Sequence, residues 1–234
     1  MNTGKNLIFL VSQPRTGSTL LQKILGAHPD IHTLSEPWIA LHPLFGLRPQ
    51  GVSANYSHNL ALEATSDFLS HLPQGEEAYF EGARRMLPYL YDQALQVSGK
   101  SVFLDKSPRY YFIVDELRRT FPDARFVVLI RNPLGVLSSI LDTWVKQPFF
   151  SNLYSLRIDF VHDLLTAPGA IRTAMKDACS VVHYENLIQN PAATVSRMCK
   201  ELNVEFHPEM IEYGGDGKAN ERWAFGDQGT VYRE

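Results

Sequence analysis

Residues 7–29 read LIFLVSQPRTGSTLLQKILGAHP. From Leu7 to Val11 the run is uninterrupted and apolar, as in a strand buried on both faces of a parallel sheet. The period then changes: Leu20, Leu21, Ile24 and Leu25 recur at helical spacing, and Gly26 and Pro29 stop the helix. Between the two lies Gln13-Pro14-Arg15-Thr16-Gly17-Ser18-Thr19. A strand, a tight polar turn and a helix in that order aim the helix's unpaired N–H groups at the strand end, where they can cradle an anion. Gly17 lets the backbone turn closely, the Ser18 and Thr19 hydroxyls add donors, and Arg15 brings a permanent charge suited to a group with several oxygens. The Gly-Lys-Ser/Thr ending of nucleoside-triphosphate loops is missing. Taken alone, the turn is a weak signal and reads more readily as a helix cap beside a surface arginine, so the other strands have to decide.

The chain has 234 residues, enough for one α/β domain spanning 1–234. Hydrophobic residues at 44% and charged residues at 20% are ordinary globular values. A formal charge of −3 gives no global attraction to nucleic acid or anionic lipid, so any anion site must be local. No stretch is apolar for long enough to span a bilayer. The first strand follows Met1 too closely for a secretion signal, and Cys179 and Cys199 lack Cys-x-x-Cys spacing. The expectation is a reducing, cytoplasmic setting without a zinc site.

Further along, residues 39–56 are punctuated by Pro and Gly and rich in apolar side chains, which predicts a lid or substrate-lining loop. Residues from about His58 to Leu95 read as helical, with a break at Leu72-Pro73-Gln74-Gly75. SVFLDKSP (101–108) is a short strand ending in charge, and YYFIVDELRRTF (110–121) an amphipathic helix. ARFVVLIRNP (124–133) is the strongest strand, with Asn132 and Pro133 as cap and first residue of the next helix. That helix places Val136, Leu137, Ile140, Leu141 and Trp144 on one face, leaving Ser138 and Ser139 on the other. CSVVHYENL (179–187) reads as a last buried strand. Asn190-Pro191 then opens a helix bearing Val195, Met198, Cys199 and Leu202. Strands alternating with helices predict a central parallel β-sheet covered on both sides.

Ligands of open parallel sheets bind beyond the carboxyl ends of the strands. Three strand ends carry cations: Arg15, Lys106 and Arg131. Arg131 could merely pair with an acid, and Asp105-Lys106 could be an exposed ion pair. Together, however, these segments resemble the sulfotransferases that take their sulfuryl group from 3′-phosphoadenosine 5′-phosphosulfate (PAPS), which have a P-loop-like α/β fold. QPRTGSTLL (13–21) looks like the family's 5′-phosphosulfate loop in the arginine variant of bacterial and Golgi-type members. VVLIRNPLGVLSSIL (127–141) is similar to the 3′-phosphate site, which implies that Arg131 and Ser139 hold the ribose phosphate. VVHYENL resembles the segment whose tyrosine, here Tyr184, contacts the adenine. FLDKSPRYY (103–111) is similar to the Lys-Ser/Thr-Pro segment, whose lysine, here Lys106, reaches the sulfuryl group.

The resemblance implies PAPS as co-substrate, 3′,5′-bisphosphate adenosine (PAP) as product and no metal. The donor would be held by Arg15, Thr16, Gly17, Ser18, Thr19, Arg131, Ser139 and Tyr184, with Arg15, Lys106 and a base performing the transfer. Many members carry a histidine two residues after the lysine, where this chain has Pro108. Glu36 in HTLSEPW (32–38) lies where other members carry a glutamate base, and His28, His32, His42 and Asp105 are rivals. Trp38, Phe45, Tyr56, Trp144, Phe149 and Phe150 give the loops an aromatic character suited to a small-molecule or lipid-like acceptor. The family's Gly-rich C-terminal loop has no clear match, and Lys218 and Arg222 could substitute for it. The oligomeric state stays open. A P-loop kinase and a non-catalytic nucleotide-binding module remain as alternatives.

Overall fold

The computed structural model describes residues 3–49, 54–145 and 149–212. Five strands form one parallel sheet: β1 (Leu7–Ser12), β2 (Ile31–Thr33), β3 (Val102–Asp105), β4 (Arg125–Ile130) and β5 (Ser180–His183), in the order β2-β3-β1-β4-β5. β1 lies at the centre. On one side Leu7 aligns with Phe103, on the other Val11 with Val128.

The helices in chain order are α1 (Ser18–Gly26), α2 (Leu41–Phe45), α3 (His58–Ser70), α4 (Glu77–Ser98), α5 (Val114–Thr120), α6 (Pro133–Ile140), α7 (Phe149–Ser155), α8 (Arg157–Phe160), α9 (Ala167–Met175), α10 (Tyr184–Gln189) and α11 (Pro191–Glu201). Wider π-helical turns at Leu141–Val145 and Val161–Thr166 continue α6 and lead into α9. None of the described helices is long and apolar enough to cross a membrane.

The period-2 geometry of a strand divides the core in two. Leu7, Phe9 and Val11 face a layer in which α4 contributes Phe80, Leu87 and Tyr91, α5 contributes Leu117 and α9 contributes Ile171. Ile8 and Leu10 face the opposite layer, built on Leu21, Ile24 and Leu25 of α1 and on Val195, Met198 and Cys199 of α11. All of β1 is therefore buried, as its unbroken apolar run requires. Phe9 sits among the rings of Tyr91, Tyr110, Phe121 and Phe126, at centroid separations of 5.4–6.3 Å.

The alternation of strands and helices stands as expected, with four local corrections. Three-residue β2 has no sequence signature, because His32 and Thr33 do not continue an apolar run; register with Val102–Leu104 makes it a strand. The fifth strand stops at His183, and Tyr184 begins α10. Residues 110–121 are a 3₁₀ turn (Tyr110–Phe112) followed by α5, with Arg109 at a φ of 82° ahead of them. The 39–56 segment, expected to be an irregular loop, contains the single-turn helix α2.

Candidate active site

The turn between β1 and α1 has the geometry of an anion loop. Gly17, at a φ of 94°, precedes α1, and no side chain caps the helix. Its first N–H groups, which have no partner within a helix, are thus available to a ligand. A β-carbon at Gly17 would lie 2.5 Å from the Tyr184 ring, so the tyrosine is seated on the loop itself. The Thr16 hydroxyl is turned away and donates to the Gln13 carbonyl (2.6 Å), which closes the turn and leaves Thr16 only its backbone for a ligand.

Arg15, also at a positive φ (66°), connects two strand ends. Its Nε donates to Ser139 Oγ and its Nη2 to Thr143 Oγ1, each at 3.2 Å. Its carbonyl accepts from Arg131 Nη1 (3.0 Å), and the Arg131 guanidinium lies 4.4 Å from the centre of the Tyr184 ring. Arg15, Gly17, Arg131, Ser139 and Tyr184 form one contiguous group although they span most of the sequence. Arg131 and Ser139 meet through Arg15. Thr143, four residues after Ser139 and so on the same side of the helix, was not expected from the sequence; that spacing was its only signal.

A cleft of about 380 Å³ opens beside this group, lined by Arg15, Ser18, Thr19, Glu36, Lys106 and Trp144 among others. Lys106 Nζ and Glu36 Oε1 are 2.6 Å apart, and their side chains are only 2% and 11% exposed, so this is no surface ion pair. Burial pulls the Lys106 ammonium below its ordinary range, against the opposing pull of Glu36. Trp38 Nε1 donates to the other Glu36 oxygen at 3.2 Å. Arg109 also lines the cleft and donates to Asp163 Oδ1 (2.7 Å).

Asp105, a rival for the role of base, is instead a buried anchor. Its Oδ2 accepts from Tyr91 Oη (2.6 Å) and Tyr110 Oη (2.9 Å), and its Oδ1 from Ser107 Oγ (2.9 Å). Burial pushes this carboxyl up to about 6, against the downward pull of the three hydroxyls and Lys106. His28 is buried with both ring nitrogens engaged: Nδ1 accepts from the Asp30 N–H (3.0 Å), so Nε2 carries the proton toward the Glu205 carbonyl (2.9 Å). Burial holds it below the usual histidine range. His32 packs edge-on against Phe103 in the sheet, and neither it nor His42 lines the cleft.

Of the aromatic residues expected around an acceptor, Trp38 and Trp144 line the cleft. Trp144 does so while packing partly against Val136 and Ile140, its predicted partners. Phe45 is turned instead onto Phe112 at the core, and Tyr56 is exposed away from the cleft. The side chains of Phe149 and Phe150, and Lys218 and Arg222, lie outside the described residues.

A family model described as "Sulfotransferase family" matches residues 7–208, from β1 to the turn after α11. The chain belongs to the sulfotransferase family. Among curated proteins, it is similar to nodulation protein NoeE of Sinorhizobium fredii, 29% identical over 232 residues, covering 89% of this chain and 52% of that protein. It is also similar to protein-tyrosine sulfotransferase 1 of Danio rerio, 25% identical over 219 residues, covering 91% of this chain and 57% of that protein. The chain thus spans about half the length of these relatives. Among solved structures, the sulfotransferase domain of the Synechococcus PCC 7002 olefin synthase superposes with a TM-score of 0.60 at 23% identity, over 97% of this chain and 82% of that one. The sulfotransferase domain from the curacin biosynthetic pathway gives 0.57 at 22%, over 94% and 80%. These likenesses establish the α/β fold, a parallel sheet with helices on both faces.

Proposed function

We propose that the protein transfers a sulfuryl group from PAPS to a hydroxyl or amine of a small-molecule or lipid-like acceptor by in-line displacement. The observation that carries this reading is the buried Lys106–Glu36 pair in the same cleft as Arg15 and the uncapped start of α1. A base and three cations, Lys106, Arg15 and Arg109, thereby share one small space with an anion loop. Tyrosine, named in several of the relatives, is itself an aromatic hydroxyl, which agrees with indole rings on the cleft wall.

Each residue then has a role fitted to its chemistry. The α1 N–H groups, Ser18, Thr19 and Arg15 would hold the 5′ end of the donor. Arg131 and Ser139 would hold the 3′ phosphate, and Tyr184 the adenine. In the transfer, the bond between sulfur and the phosphate oxygen breaks as the acceptor oxygen or nitrogen bonds to sulfur. The acceptor's proton passes to Glu36, and the charge left on the bisphosphate is met by Lys106, Arg15 and the loop. Catalysis of this kind is mostly positioning and charge neutralisation.

Calorimetric titration with PAP tests the donor site: saturable binding is expected, and no binding at millimolar PAP would overturn the reading. Glu36→Gln is expected to keep PAP affinity while turnover, in a screen of acceptors with labelled PAPS, falls by about 10²–10⁴-fold. Arg131→Ala is expected to weaken PAP at least about tenfold more than adenosine 5′-phosphosulfate, which lacks the 3′ phosphate.

A further inference from the structure

Trp38 holds an unusual position. At a φ of 58° it adopts a backbone conformation that side-chain-bearing residues keep only where their surroundings enforce it. Here the enforcement comes from underneath. Trp38 N–H donates to Ser107 Oγ (3.0 Å), and Ser107 Oγ donates to Asp105 Oδ1 (2.9 Å). Asp105 is fixed in turn by the hydroxyls of Tyr91 and Tyr110. Tyr110 Oη also accepts from Ala40 N–H (3.2 Å), two residues beyond Trp38, and the Trp38 carbonyl accepts from Leu41 N–H (3.1 Å). The backbone is therefore gripped on both sides of the strained residue, and its indole N–H is aimed at Glu36 Oε2.

We infer that Trp38 is a positioning residue for Glu36, and that the buried Asp105–Ser107 pair sets its aim. The inference rests on the reading of Glu36 as base. The two Glu36 oxygens are divided between two donors, Lys106 on Oε1 and Trp38 on Oε2. Once Lys106 turns to the donor's sulfuryl group, the indole is the contact that still fixes the carboxylate plane. The other charged groups facing this carboxylate are Arg15 from the β1–α1 loop and Arg109 from the turn after β3, both on the cleft wall. The α6 side contributes the uncharged Thr143 and Trp144, and Asp105 is buried with its oxygens committed to the three hydroxyls.

The test is the Trp38 indole N–H resonance in ¹H–¹⁵N spectra of the free protein, assigned with Trp38→Phe, together with its hydrogen-exchange rate and thermal melts. Glu36→Gln is expected to move this resonance, and Ser107→Ala to move it likewise and to speed its exchange at least about tenfold, while Ser107→Thr, which retains the hydroxyl, keeps the wild-type values. Trp38→Phe, which keeps a ring but removes the N–H, is expected to lower turnover in the labelled-PAPS screen about tenfold with PAP affinity kept. An indole resonance that Glu36→Gln leaves unmoved, or a Ser107→Ala protein that melts earlier with that resonance unchanged, would overturn the inference. The spectra need neither donor nor acceptor. Retained turnover in Glu36→Gln would therefore remove the base reading separately from the relay.

Discussion

At the scale of single residues, Gly17 shows how little room the donor loop leaves. Its positive φ disfavours any side chain, and the Tyr184 ring lies 2.5 Å from the point a methyl group would occupy. Gly17→Ala is expected to push the tyrosine off the loop, weakening PAP binding at least about tenfold and lowering stability by about 1–3 kcal/mol, as calorimetric titration and urea unfolding would show. This requirement was readable in the sequence, because Gly17 stood where a strand had to turn tightly into a helix. Arg15, Lys106 and Arg131 were legible for the related reason that charged residues after buried strands need a use, whereas Glu36, behind a strand without an apolar run, was legible only through the family resemblance. Trp38 was legible only as an aromatic near the site. Its donation to Glu36 depends on a left-handed backbone enforced by Ser107, some seventy residues away in the chain, and no local pattern encodes that.

At the scale of elements, α6 carries the site on its polar face. Asn132 Oδ1 accepts from Leu134 N–H (2.9 Å) and Pro133 occupies the first turn, so the sequence marked the start of this helix. Asn132→Ala is expected to cost about 1 kcal/mol in urea unfolding and to loosen Ser139, which rides seven residues along the same element. The end of α6 was not legible. The chain widens into a π-helical turn at Leu141–Val145, and Thr143 and Trp144 come to face the cleft from it. Such turns have no apolar signature of their own. β2 was hidden for a comparable reason: a three-residue edge strand is defined by its neighbour's hydrogen bonds more than by its own side chains.

At the scale of the whole molecule, the apolar strands announced the parallel sheet, while the Asp105 network that joins α4 to the site was out of reach of sequence patterns. It leaves a thermodynamic mark. Folded Asp105 holds its proton up to about pH 6, against an ordinary 3.8, so in this window the folded state binds more protons than the unfolded one. The contribution of the group to stability is therefore present below about pH 4 and lost as the pH rises through about 6, an effect of about 3 kcal/mol. Urea unfolding at pH 4.5, 5.5 and 7 should show wild type losing stability relative to Asp105→Asn across that range.

The central place of β1 also governs how the chain is made. Its six buried residues leave the ribosome ahead of the rest of the sheet, and β3 begins only at Val102 and β4 at Arg125. At synthesis speeds of about 5–20 residues per second, this stretch waits several seconds for either neighbour. During that time its unpaired edges offer other nascent chains a template, and stalled products ending before residue 102 should be the ones that bind chaperones or precipitate.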